Sequence, residues 1–233
     1  MRLVIALVVG WWWMVMPAAA EEVVAVVGAT EIVLPVPEGF VEPTQVSPSA
    51  RQFAERITPD LNRLLALFVR PPSASDDGIG WTRYYMVQTL RAAEQLTVTA
   101  EQFDTVRGYL RDQSQTLMDN LEGYIADQAE RSSEEIGRDY GIEDLDLKVG
   151  ELKVIEVFND TAEAISLLAL SRIKVNVGGQ SSETPVCNGI TALRLRNKII
   201  YFFAYSQFDS GKDLKWVREV SLEWIGRALS ANP

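Results

Sequence analysis

The alternation of apolar and polar positions is clearest in the last third of the chain. Leu152 to Phe158 and Ala164 to Val175 are apolar, β-branched runs joined by Asn159-Asp160-Thr161, which predicts a hairpin. Ile190 to Arg196 and Lys198 to Phe208 predict a second hairpin around Asn197. In the first of these strands Leu193 and Leu195 share one face, and Arg194 and Arg196 the other. Ile199 to Tyr205 differs in being apolar at every position, the pattern of a strand covered on both sides. The sheet therefore needs two layers over it, and two helical patterns can supply them. Thr99-Ala100-Glu101-Gln102 fits a capping box, and Phe103, Val106, Leu110, Leu117, Leu121 and Ile125 then recur at spacings of three, four or seven. Continued to Ser133, that helix exceeds ordinary globular length, so it is expected to project past the sheet or to bend near Gly123. Asp209 or Ser210 can cap a final helix with Leu214, Val217, Val220, Trp224 and Ile225 as its stripe.

The earlier chain gives shorter signals. Glu31 to Val36 reads as a strand that Pro35 and Pro37 confine to an edge or a sheet boundary. Ser47-Pro48 starts a helix to about Ile57, and Leu64 to Val69, closed by Arg70-Pro71-Pro72, reads as a buried strand. Pro71 to Gly80 carries turn residues and reads as a surface loop, followed by an aromatic strand from Trp81 to Leu90. Arg131 to Asp146 is acidic and glycine-punctuated, and is expected to be a linker with residual helix. At the start, Met1-Arg2, the apolar run Leu3 to Met16, and Ala18 and Ala20 before Glu21-Glu22 fit a secretory signal cut after Ala20. The reading is thus a signal over residues 1–20 and a single α/β domain over 21–233, with an uncleaved anchor through Trp11-Trp12-Trp13 as the alternative.

Composition narrows the chemistry. The 233 residues carry a formal charge of -10, which speaks against a broad cationic surface for nucleic acid. There is no histidine, so imidazole is absent as base or metal ligand, and the single Cys187 closes no intramolecular disulfide. Cys187 is expected to be a buried small residue. Gly178-Gly179-Gln180-Ser181-Ser182 has the glycines of a phosphate loop, but Glu183-Thr184-Pro185 follows instead of a helix. Asp144-Leu145-Asp146 with Gly150 lacks the ligand order of a calcium loop. Ser171 and Lys174, the closest approach to a Ser-Lys pair, lie on opposite faces of a strand. No catalytic, cofactor or metal residue is therefore assigned. Trp81, Arg83 and Tyr84, with Tyr85, have the composition of an interaction surface, against ordinary packing of their strand.

Several segments together resemble a known family. They are Ile32-Val33-Leu34-Pro35-Val36-Pro37-Glu38-Gly39-Phe40, the run Arg63 to Val69, and the end of the chain. There Leu193-Arg194-Leu195-Arg196-Asn197-Lys198 leads to Tyr201 to Tyr205, then to Asp213-Leu214-Lys215-Trp216 and Ala231-Asn232-Pro233. The pattern resembles a family of exported bacterial proteins with no assigned activity, whose members look similar to the fold of the extrinsic photosystem PsbP proteins and the Ran-binding Mog proteins. The resemblance implies an α+β fold, an antiparallel sheet sandwiched between helices, and carries no catalytic residue or cofactor. It implies an exported, non-catalytic accessory or binding protein of the bacterial cell envelope, periplasmic or secreted. The expected partner is an envelope protein, with no nucleic acid and no stable membrane insertion after signal cleavage. The alternatives are a carboxylate-dependent hydrolase of an envelope polymer and a carrier of a small apolar ligand held between the long helix and the sheet.

Overall fold

The computed structural model describes residues 22–42, 48–71 and 82–233; Ala18, Ala20, Ser47, the Pro72 to Gly80 part of the expected loop, and Trp81 lie outside them. The chain runs β1 (Glu22–Val27), β2 (Thr30–Pro35), α1 (Pro48–Ile57), β3 (Asn62–Val69), β4 (Arg83–Leu90), α2 (Ala100–Tyr140), β5 (Asp146–Val149), β6 (Lys153–Thr161), β7 (Ala164–Val177), β8 (Gln180–Leu195), β9 (Lys198–Gln207) and α3 (Gly211–Ala231). Seven of the strands form one antiparallel sheet in the order β3-β4-β9-β8-β7-β5, with β6 on the same edge of β7 as β5. The β1–β2 hairpin is a separate two-stranded sheet. This is an α+β fold in which helices cover both sides of an antiparallel sheet.

The tight turns follow from local chemistry. Leu195 pairs with Lys198, leaving Arg196 and Asn197 at φ 47° and 62°, the left-handed pair that matches strand twist in a two-residue hairpin. Val177 pairs with Gln180, so Gly178 and Gly179, at φ 54° and 81°, turn β7 into β8 in the same way. The glycines that resemble a phosphate loop are thus a hairpin turn. β8 begins ten residues before the Ile190 expected from sequence, because Gln180 to Gly189 alternates polar residues with few apolar ones.

Strand β9 lies inside the sheet, between β4 and β8, as its continuous apolarity requires. Its even positions Ile200, Phe202 and Ala204 face α3, together with Tyr85 and Val87 of β4 and Cys187, Thr191 and Leu193 of β8. Trp224 of α3 stacks on Phe202 with ring centroids 4.2 Å apart and planes at 8°, and its Nε1 donates to Pro35 O at 2.8 Å. That bond ties α3 to the β1–β2 hairpin, whose Ala25, Val27, Ile32 and Leu34 complete this core. Gly189 lets α3 approach closely: a Cβ there would stand 2.7 Å from Val217 Cγ1 and 2.8 Å from Ser221 Oγ.

Helix α2 differs from expectation in two respects. Its capping box is present, with Thr99 Oγ1 accepting from Gln102 N and Gln102 Oε1 accepting from Thr99 N. Its break, however, is at Gln113 (φ −129°, ψ 16°) and not near Gly123. Two tethers to β6 bracket the break. Arg107 and Arg111 hold Asp160, and Gln115 accepts from Val154 N at 2.8 Å while donating to Leu152 O at 3.3 Å. The helix must follow β6 there and departs from straightness between its anchors. The second difference is length: Arg131 to Tyr140 is helical, ending at Gly141 (φ 65°), and Asp146 opens β5 rather than closing a linker. The buried stripe of this last section is Gln128, Ala129, Ser132, Ser133 and Ile136, mostly small and polar side chains that leave no apolar period in the sequence.

Candidate binding surface under the long helix

The odd positions of β9 face the opposite way. Ile199, Tyr201, Phe203 and Tyr205 share that face with Tyr84, Met86 and Gln88 of β4 and Asn188, Ile190 and Ala192 of β8. Two helical segments cover it. The start of α2 brings Phe103, Val106 and Leu110 onto Ile165, Ala192, Ile199 and Tyr201. Helix α1 brings Ala54 and Ile57 onto Leu64, Leu67, Val69 and Met86, with Tyr84, Phe203 and Tyr205 at the margin. Between them the cover is incomplete. Tyr84, Ile190, Tyr201, Phe203 and Tyr205 are only half-buried, although they belong to internal strands. On the same helix stripe as Phe103 and Leu110, Leu117 and Leu121 are also half-buried and pack against none of the buried clusters.

The surface so formed is an uncharged aromatic row. Tyr84 stacks on Tyr205 at 4.6 Å, and Phe203 lies 6.2 Å from Tyr205 and 6.4 Å from Tyr201. Burial pushes the phenols of Tyr84, Tyr201 and Tyr205 upward, so all three are neutral at physiological pH. Beside Tyr205 stands Asn188, 3% exposed, whose Nδ2 donates to Ser171 Oγ at 3.4 Å and whose Oδ1 has no hydrogen-bond partner. An acceptor left unmet in the interior is costly, by roughly 1–3 kcal/mol. The row therefore combines apolar bulk with an unused acceptor and carries no charge.

The seam between α1 and the last section of α2 is polar. Arg56 pairs with Glu135 at 2.9 Å and Asp139 at 2.8 Å, Arg131 pairs with Asp60, and Ser132 Oγ donates to Arg56 O at 2.9 Å. These groups border a cleft of about 370 Å³ lined by Gln52, Glu55, Thr58 and Gln128 among others. Its arginines are each matched by carboxylates, so the cleft is a stitched joint.

The residues singled out from sequence separate here. Arg83 and Tyr84 are successive strand residues and point to opposite faces. Arg83 lies on the α3 side, bonded to Asp213 at 3.0 Å, with its guanidinium 4.5 Å from the Trp216 ring. Tyr84 is in the aromatic row. Tyr85 is buried between Phe202 and Trp216 on the α3 side. Cys187 is fully buried, and burial pushes its thiol up to about 11. Sequence reasoning missed Asn188, because it lies in the stretch of β8 with the weaker strand signal.

Among the described residues, the carboxyl groups that shift do so downward. Asp160 is raised by burial, but the hydrogen bonds and charges of Arg107 and Arg111 outweigh this and lower it. Asp213 balances burial in the same way against Arg83 and the amides of Asp209 and Ser210. Glu94 is lowered by its bond from Arg63, and Asp146 by Lys148 and Asn176. Among the described residues, no cluster of acidic and cysteine side chains is placed to hold a metal ion. Among them too, no helix is long and apolar enough to cross a membrane.

No family model and no curated protein matches the chain. Two solved structures are similar to it in overall course. A point variant of the protein Mog1 is 12% identical, with 92% of this chain and 93% of that one covered at a TM-score of 0.34. The Saccharomyces cerevisiae Ran-binding protein Mog1p is 8% identical, with the same coverage at a TM-score of 0.32. At those scores the likeness adds nothing to the architecture, which rests on the strand order and layers above.

Proposed function

We propose that this is an exported, non-catalytic binding protein of the bacterial cell envelope, and that its working surface is the aromatic row between α1 and the start of α2. The observation that carries the reading is the unequal cover of β9: fully buried on the α3 side, partly exposed on the side of α1 and α2. A neutral, apolar occupant fits that surface, since any charge brought there would be desolvated without a counter-charge. This favours a carrier of a small apolar molecule, or an accessory that holds an apolar group of an envelope partner.

The test is titration of the purified mature protein with N-phenyl-1-naphthylamine, a neutral fluorescent probe. Saturable one-to-one enhancement, weakened about tenfold or more by Phe203→Ser with the fold retained, is expected. No saturable binding, or equal binding by the variant, overturns the reading. Export is tested separately by the N-terminal sequence of the cellular protein: a start at Glu21 supports it, and a start at Met1 in the cytosol rejects it.

A further inference from the structure

Gln52 lies three and four positions before Glu55 and Arg56 on α1, and Gln128, Arg131 and Glu135 follow one another at the same spacings on α2. Each helix thus turns one polar face toward the other. The ion pairs that join them leave a cleft of about 370 Å³ unfilled, inside the range of about 300–1,000 Å³ that small-molecule sites occupy. Gln128, 8% exposed, is held firmly on its wall. Its Oε1 accepts from Arg131 Nη2 at 2.9 Å and from Asp60 N at 3.5 Å. Both partners are N–H groups, so the amide cannot turn end for end. Its Nε2 is left as a donor with no partner among the described residues, on a side chain that lines the cleft. Thr58, 6% exposed, donates its proton to Ala54 O at 2.7 Å and keeps its hydroxyl oxygen as an acceptor.

The carboxylates of the cleft are only half committed. Asp60, Glu135 and Glu55 each hold an arginine through one oxygen, and the second oxygen of each has no partner among the described residues. An occupant has to replace the bonds that water makes to such groups. An apolar molecule cannot, because all eight side chains that line the cleft are polar. An anion meets uncommitted carboxylate oxygens and two guanidinium groups already engaged. A simple cation satisfies the carboxylates but not the fixed amide donor. Adjacent hydroxyls meet both, since each of them donates and accepts. We infer that this cleft is a second binding site, independent of the aromatic row, for a neutral polyhydroxylated ligand: a sugar of no more than about two rings. A free sugar and the end of a glycan chain present the same chemistry to it.

The experiment is saturation-transfer NMR of the purified mature protein with glucose, N-acetylglucosamine, maltose and cellobiose, and with glucosamine and glucuronate as charged controls. Saturable binding of at least one neutral sugar is expected, with both controls weaker. Gln128→Glu keeps an oxygen for Asp60 N and Arg131 but turns the open donor into an acceptor, and should weaken binding about tenfold at an unchanged melting temperature. Thr58→Val, which removes the hydroxyl at constant shape, is the second variant and should weaken it too. Phe203→Ser, on the aromatic row, should leave sugar binding as it is, so the two sites fail or stand separately. Maltopentaose binding no tighter than maltose marks a free sugar as the occupant, and tighter binding marks a chain end; either result keeps the site. No saturable binding by any neutral sugar, tighter binding of a charged control, or equal affinity in both cleft variants overturns the inference.

Discussion

Phe202 and Phe203 are adjacent in one strand, identical in chemistry, and live in different surroundings. Phe202 is fully buried under Trp224, in a layer where α3 joins the β1–β2 hairpin through Trp224 and Asn232 and settles onto β8 in the space left by Gly189. Phe203 keeps part of its ring open beneath α1 and α2, whose mutual joint is built from ion pairs and hydroxyls. One side of the sheet is closed by apolar interdigitation, which water cannot replace. The other is closed by two smaller apolar clusters under helices that are joined to each other by polar contacts, which water imitates well. Stability and adaptability are thus assigned to opposite faces of the same strand.

The sharpest way to break this comparison is the pair Phe202→Ala and Phe203→Ala in urea unfolding. Removing a fully buried phenylalanine costs about 4 kcal/mol, and removing the half-buried neighbour about 2 kcal/mol, scaled from large-to-small core substitutions. Equal losses would refute the asymmetry. Gly189→Ala comes next: its methyl meets Val217 and Ser221 on α3, and overpacking of this kind costs about 1–3 kcal/mol. A smaller effect belongs to Asp213→Asn. Asp213 accepts from Ser210 N at 3.0 Å and from Arg83, and loss of such a cap costs about 1 kcal/mol. Because the folded pKa of Asp213 is lowered, its contribution is present above the unfolded value of about 3.9 and fades as pH falls through the folded one. The two stability curves therefore converge in acid, and a gap that persists undiminished after the pH has fallen through the folded value would contradict the assignment. Least in size is a salt effect: raised ionic strength should speed amide exchange in Gln128 to Tyr140 and leave α3 unchanged, since exposed ion pairs are screened and apolar packing is not.

Legibility in the sequence followed the same division. The α3 side was readable because apolar periodicity is its mechanism: the stripe Val217, Trp224, Ile225, the run Ile199 to Tyr205 and the Asn197 turn all appear where expected. The Thr99 capping box is also a local signal and was equally clear. The α2 side was not. Gln128, Ser132 and Ser133 are buried polar residues that read as surface, so the helix seemed to end early. The break at Gln113 depends on Gln115 and Arg107 finding β6, contacts that no local pattern announces. The β1 strand escaped because its Val24 and Val26 point outward, against the usual sense of an apolar residue. The aromatic row was half legible: its tyrosines stood out, but residue spacing could not say that one side of β9 would be closed less tightly than the other.

The bonds from Asn232 to Val33, from Trp224 to Pro35 and from Arg227 to Val36 each span some 190 to 200 positions of chain. A ribosome makes β1 and β2 well before α3, so the hairpin waits undocked until α3 has been made. Such distant closure slows folding, and it keeps this part of the nascent chain unlocked for as long as α3 is unmade.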